Sequence, residues 1–277
     1  MNFIARLEQA QTVNDSLLCV GLDPVMERLP ALCRREKMPF LAFNRALIEA
    51  TADLVCAYKP QFAHYAALGA EAELEATIAY IRQHYPAIPV ILDAKRGDIG
   101  STAEKYAEEA FSRYQADAVT VNPYLGGDSL EPFLGYRDRG VVVLCRTSNP
   151  GSGDLQGLIV GDDPLYLHVA RLAAEKWNGN GNLLLVVGAT WPEELARVRE
   201  TVGEIPLLVP GIGAQGGSVK AVLDAGLDRR GKGLVINSSR GIIYAGSGDD
   251  FAAAARRAAL ELRDEINRGL AARDGHR

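Results

Sequence analysis

The sequence predicts an α/β protein, a single (β/α)8 TIM barrel, on three observations: eight short apolar runs, amphipathic stretches between them, and a length of 277 residues. Roughly 250 residues is typical of that fold. The runs are LLCVGL (17–22), LVCAYK (54–59), PVILDAK (89–95), AVTVNP (118–123), VVVLCR (141–146), NLLLVVG (182–188), IPLLVPG (205–211) and GLVINSS (233–239). Each is rich in Val, Ile and Leu without strict alternation. Parallel strands covered on both faces read this way, because neither face meets water.

Helical patterns fill the gaps. Apolar side chains recur at helical spacing over 39–53 and 71–84, and 101–114 opens on Ser and Thr followed by Glu, a capping signal. The alternation continues over 163–177, 192–202, 215–225 and 249–268, with an N-terminal helix ahead of the first strand. A doubly wound open sheet fits the same alternation less well, because eight βα units suffice to close a ring. No linker rich in Pro, Ser or Gly divides the chain, so residues 1–277 read as one domain. The longest irregular stretch, 147–162, reads as an inserted loop of the kind that forms lids. The tail after residue 268 reads as a frayed, solvated end.

Composition narrows the function. Apolar residues make up 48% and charged residues 23%, and no run approaches the roughly 20 apolar residues of a membrane span. The start, MNFIARLEQAQTVNDS, lacks the apolar core of a signal peptide, so a cytoplasmic location is expected. A net charge of −5 without a basic stripe argues against nucleic acid as a partner. Cys19, Cys33, Cys56 and Cys145 have no paired spacing and read as buried free thiols. The four histidines form no cluster, and no H-E-x-x-H, paired-cysteine or G-x-S-x-G motif occurs. Neither a metal nor a cofactor is expected.

In a barrel, reactive groups project from the C-terminal strand ends. Those ends carry Asp23, Lys59, Asp93, Lys95, Asp98, Asn122, Ser148, Gln215 and Arg240. Burying charge is costly unless it is paired, so charges at the ends of apolar strands point to a site. In ILDAKRGDIGST (91–102), Asp93 and Lys95 stand two apart on an expected extended strand, which aims both into the barrel mouth. The glycine-rich turn PGIGAQGG (210–217) leads into a helix, where backbone N–H groups and the helix dipole favour an anion. Arg240 offers a planar fork of donors for phosphate, and Gln215 a neutral one. Asn122 has no assigned role.

The D-x-K-x-x-D spacing after an apolar strand resembles the orotidine 5′-phosphate decarboxylase suprafamily. CVGLDP (19–24), YKPQFAHY (58–65), TSNPG (147–151), PGIGAQGG and NSSRGI (237–242) resemble other segments of that family in the same order, across residues 17–245. VNPYLGGDSLEPF (121–133) and TSNPG are similar to its longer bacterial subgroup. The resemblance implies decarboxylation of orotidine 5′-phosphate to UMP and CO2 in de novo pyrimidine biosynthesis, with fixed charges stabilising a C6 carbanion and Lys95 donating a proton there. It also implies an alternating array of Lys59, Asp93, Lys95 and Asp98. Asp98 would come from a partner subunit with Ile99 and Thr102 beside it, hence a homodimer with shared sites. Asp23 would bind ribose, Ser148 the pyrimidine, and Gln215 with Arg240 the phosphate. Sister enzymes acting on sugar phosphates share the D-x-K-x-x-D strand but use Mg²⁺ and carry a strand-two glutamate where this chain has Lys59. A phosphate-ligand sensor or retained scaffold would predict a damaged charge array, and this one is intact.

Overall fold

A computed structural model describes residues 1–212 and 216–274. Among them, eight parallel strands make one sheet: β1 (Leu18–Leu22), β2 (Ala57–Pro60), β3 (Ile91–Arg96), β4 (Ala118–Val121), β5 (Gly140–Arg146), β6 (Leu183–Val187), β7 (Leu207–Pro210) and β8 (Leu234–Ser238). They neighbour one another in the order β2-β1-β8-β7-β6-β5-β4-β3. Parallel bridges from Tyr58 to Val90 and from Gln61 to Asp93 then join β2 to β3 and close the ring. The sheet is a barrel and not an open doubly wound layer.

The longer helices are α1 (Phe3–Val13), α2 (Pro39–Thr51), α3 (Glu71–His84), α4 (Gly100–Glu108), α5 (Leu165–Leu172), α6 (Pro192–Val202), α7 (Val219–Gly226) and α8 (Phe251–Asp274). Between β4 and β5 stands a single turn, Glu131–Leu134, where the sequence gives no helical period.

Strand residues divide by parity. One set, including Leu18, Val20, Leu92 and Val119, packs outward against the helices in the larger core. The other set points inward: Cys19, Ala57, Ile91, Ala118, Val142, Leu184, Leu208 and Val235 form a buried layer with Phe3 and Leu7 of α1. The N-terminal helix therefore stoppers the end of the barrel opposite the strand C-termini. Asp117, 1% exposed, ties it there by pairing with Arg6. The same carboxylate accepts from the Val90 amide at 2.9 Å.

Three expectations need correction. The helix expected over 101–114 begins at Gly100, and Ile99 precedes it without a side-chain cap. Gly100 takes φ +54°, a conformation open to glycine, so Ser101 and Thr102 fall inside the first turn and not at its cap. Past Glu108 it widens into a π-helical stretch, Glu109–Arg113. The helix expected to open at 215 begins at Val219, because the Ser218 hydroxyl accepts from the Ala221 amide and caps it. The tail is not frayed from 268: α8 runs on to Asp274, with Ile266 fully buried and Leu270 packed on the core. Asn267 also donates to the Asp15 carbonyl at 2.8 Å.

The long connection after β5 has its own order, a helical turn at Pro150–Asp154 and a small antiparallel pair, Ile159–Val160 with Asp163–Pro164.

Candidate active site

The site lies one layer above the inward apolar one. Side chains on a strand alternate faces, so each inward residue is followed two positions later by another. Ala57 gives Lys59, Ile91 gives Asp93, Ala118 gives Thr120, Val142 gives Leu144, Leu184 gives Val186, and Val235 gives Asn237. All six of these successors line one cavity of about 450 Å³ at the strand C-termini. Asp23, Lys95, Ser148 and Arg240 line it too. Six of the residues expected from the sequence therefore meet at one place.

Asp93 is the centre of its charged side. It is 7% exposed and Lys59 4%. One carboxylate oxygen, Oδ2, accepts from Lys59 Nζ at 2.9 Å and from Gln61 Nε2 at 3.1 Å. The other, Oδ1, accepts from Lys95 Nζ at 2.7 Å and Thr120 Oγ1 at 2.9 Å. Burial works against ionising Asp93, but the two ammonium groups outweigh it and hold the carboxyl well below the usual carboxylate range. Burial works against charging Lys59 as well; Asp93 and then Asp23 outweigh it and hold the ammonium above the usual lysine range. Lys59 is locked in place, whereas the Lys95 side chain is 46% exposed and reaches in from the rim.

Lys95 does not arrive there on an extended strand. Pairing between β3 and β4 slips between Leu92 and Arg96, and Lys95 has φ +48°. The bulge turns its side chain back over Asp93, so the two meet for a different reason from the one the spacing suggests. Downstream, the Arg96 guanidinium pairs with Glu109 at 2.7 Å and lies 4.2 Å over the Phe62 ring, which anchors the strand end.

Opposite this array the wall is apolar, built by Leu144, Val186 and Leu208. Above it, Ser148 is set by its surroundings: Trp191 Nε1 donates to the Thr147 carbonyl at 3.0 Å. A Cβ on Gly188 would stand 2.7 Å from Ser148 Cα, so only glycine permits that approach. Gln156 secures the loop by accepting from the Thr147 amide at 2.8 Å. Arg240 begins a short turn directly after β8 and is exposed at the rim.

Two buried acceptors, Asp23 Oδ1 and Asn237 Oδ1, have no hydrogen-bond partner among the described residues. Buried acceptors in a cavity wall are sites for a ligand's hydroxyl or amide donors. Sequence reasoning missed Thr120, Gln61, Asn237 and Gln156. The signal for Thr120 and Asn237 was present, since Thr120 is a polar residue inside an otherwise apolar run and Asn237 the first polar residue at the end of one.

Asp98, Ile99 and Thr102 lie outside the cavity. The Asp98 carboxylate accepts from the Ile99 amide at 2.8 Å, Ile99 is 58% exposed, and Thr102 is exposed. Gln215 lies outside the described residues. Asn122 is structural: its side chain accepts from the Tyr124 amide at 3.1 Å and caps the turn after β4. The four cysteines are free and buried, and burial pushes the Cys19 thiol, in the layer beneath the site, up to about 12.

A closed barrel with a lysine–aspartate–lysine array at its mouth, under a rim carrying Ser148 and Arg240, has the architecture of a (β/α)8 enzyme with its site at the strand C-termini. Comparison with known proteins narrows this. A family model described as "Orotidine 5′-phosphate decarboxylase / HUMPS family" matches residues 16–258. The chain belongs to that family. It is 61% identical over 269 residues to the orotidine 5′-phosphate decarboxylase of Cellvibrio japonicus, covering 96% of this chain and 98% of that one. It is also 61% identical over 267 residues to the enzyme of the same name from Azoarcus sp., covering 96% and 99%. The structure of Leishmania donovani OMP decarboxylase superposes with a TM-score of 0.84 at 46% identity, covering 98% of this chain and 99% of the other.

Proposed function

We propose that this chain decarboxylates orotidine 5′-phosphate to UMP and CO2 in de novo pyrimidine biosynthesis, and that its own side chains supply the chemistry. The observation that carries the reading is the Lys59–Asp93–Lys95 array, with Lys59 and Asp93 buried and Lys95 reaching in from the rim, facing an apolar wall across a cavity of about 450 Å³. Loss of CO2 leaves its bonding electron pair on pyrimidine C6, a carbon with no adjacent carbonyl to spread it. Preorganised charge is the remaining route, because it acts on the transition state more than on the substrate.

Each residue then has a task. The Lys95 ammonium stabilises the developing C6 charge and gives its proton to that carbon. Asp93, held ionised, sits against the substrate carboxylate, so its repulsion is relieved as CO2 departs. Lys59 keeps Asp93 ionised and fixed. Asp23 takes the ribose hydroxyls through its unpartnered oxygen. Ser148 contacts the pyrimidine, and Arg240 with Gln215 binds the phosphate, whose binding energy serves to close the site and exclude water.

Asp98, Ile99 and Thr102 act in trans. Ile99 and Thr102 stand exposed just past β3, with Asp98 half-buried beside them, and Tyr124 and Leu125, just past β4, are 74% and 47% exposed, apolar surface suited to a second copy. The working unit is a homodimer that completes each site with the partner's Asp98. The cytoplasm, where buried thiols stay reduced, is its setting. No helix among the described residues is long and apolar enough to cross a membrane.

The Mg²⁺-dependent sugar-phosphate reaction fits less well. It needs a carboxylate where Lys59 stands, and the Lys59 ammonium is 2.9 Å from Asp93. The test is loss of orotidine 5′-phosphate absorbance with and without a chelator. We expect equal rates in both; an inert protein, or one silenced by the chelator, overturns the reading.

A further inference from the structure

Thr120 joins the two halves of the catalytic strand bulge through a single hydroxyl. It is 1% exposed, on β4, at the layer that forms the cavity floor. Its Oγ1 donates to Asp93 Oδ1 at 2.9 Å and accepts from the Lys95 backbone amide, also at 2.9 Å. A hydroxyl has one proton, so accepting from Lys95 N–H fixes that proton toward Asp93. The same carboxylate oxygen receives the Lys95 ammonium at 2.7 Å. Main chain and side chain of Lys95 are thus both tied to one pair of atoms.

The tie matters because of the local backbone. Lys95 has φ +48°, a left-handed conformation that a residue with a Cβ holds only where its surroundings over-determine it. The bulge also removes Lys95 from the strand ladder, since register resumes only at Arg96 with Val121. Its amide therefore needs another acceptor, and Thr120 Oγ1 is that acceptor.

We infer that Thr120 is a positioning residue for the reaction: its hydroxyl holds the left-handed bulge that places the Lys95 ammonium against Asp93. The inference rests on the function proposed above for Lys95 and Asp93. Valine at this position keeps the shape and removes the hydroxyl. It leaves the Lys95 amide without its acceptor and Asp93 Oδ1 short of a donor, while the cavity walls that bind nucleotide remain.

The experiment is steady-state kinetics and product binding on Thr120→Val and Thr120→Ser. We expect kcat of Thr120→Val to fall by roughly tenfold to a hundredfold, as for loss of a buried hydrogen bond that orders a catalytic group. UMP affinity should stay within about threefold, because the lost interaction bears on the reacting step and not on binding. Serine restores the hydroxyl, so Thr120→Ser should return kcat to within about threefold of wild type. A purely structural role would instead lower thermal stability and leave kcat per folded molecule unchanged. Wild-type kcat in Thr120→Val, or equal losses in the Val and Ser variants, overturns the inference. If Thr120→Val does not fold, Thr120→Cys replaces it: with only a weak thiol donor, it should run at least about fivefold slower than Thr120→Ser. Lys95→Ala separates the two levels. An inactive Lys95→Ala beside a fully active Thr120→Val removes the role of Thr120 alone. An active Lys95→Ala removes the proposed function beneath it.

Discussion

The two sides of the barrel mouth are built on opposite principles. Strands β1 to β4 and their ends bring Asp23, Lys59, Asp93, Lys95 and Thr120, whereas β5 to β7 bring Leu144, Val186 and Leu208 to the same cavity. The polar side is closely bonded, with four donors on the Asp93 carboxylate alone. The apolar side offers the same ligand only contact and exclusion of water. A low-dielectric wall strengthens every charge interaction across the cavity, so the second side makes the first effective. On the function proposed above, the difference is a division of labour: the charged array does the chemistry, and the apolar side, with Asp23 and the rim, supplies binding.

The largest effect should come from the polar side. Lys95→Ala is expected to abolish turnover while UMP binding stays within about tenfold, since the lost interaction belongs to the transition state. Substantial residual activity by the absorbance assay would show that the array is not where the chemistry resides.

Next in size is complementation between subunits. Lys59→Ala and Asp98→Ala homodimers should both be nearly inactive. Mixed with subunit exchange, half the dimers become hybrid, and in each hybrid one site collects both changes and the other neither. About a quarter of all sites should then regain wild-type activity. If Asp98 acts within its own chain, no activity returns even where exchange is demonstrated independently, and the polar side is complete without a partner.

Arg240→Ala addresses the binding side. Loss of a charge-assisted contact in a closed site costs roughly 2–5 kcal/mol, expected in KM for the nucleotide and absent for the phosphate-free nucleoside. Equal losses on both substrates would place Arg240 outside the phosphate contact.

The smallest effect is on stability against pH. Asp93 is held below its unfolded value of about 3.9, so its contribution is present above that pH and is lost as pH falls toward the folded value. Lys59 is held above its unfolded value of about 10.4, so its contribution is present below that pH and lost as pH rises through the folded value. Thermal midpoints of Asp93→Asn below about pH 4 should therefore decline less steeply than those of wild type. Parallel declines would mean that the Asp93 charge adds nothing to the fold.

The same contrast explains what was legible in the sequence. Strands buried on both faces must be apolar throughout, so the eight runs stood out, and a charge at the end of such a run, as at Lys59 or Asp93, was conspicuous. Thr120 was harder to see, because a lone threonine is ordinary in a strand and its two bonds depend on a neighbouring strand's register. The left-handed backbone of Lys95 carries no sequence mark at all; glycine would have announced it, lysine does not. At the C-terminus, RGLAARD is too polar to betray that Leu270 packs on the core. Asp98 was read from resemblance alone; among the described residues its carboxylate accepts from the Ile99 amide, outside the cavity, and the role proposed for it depends on a second molecule that no feature of the sequence describes.

Hydrogen exchange at C6 of the product tests the central claim most directly, because it isolates proton transfer by Lys95 from the departure of CO2. With UMP saturating in D2O, wild-type protein and Arg240→Ala should both place deuterium at C6, read by proton NMR, and Lys95→Ala should place none. Exchange at the wild-type rate in Lys95→Ala would contradict the assignment of the chemistry to the polar side of the mouth.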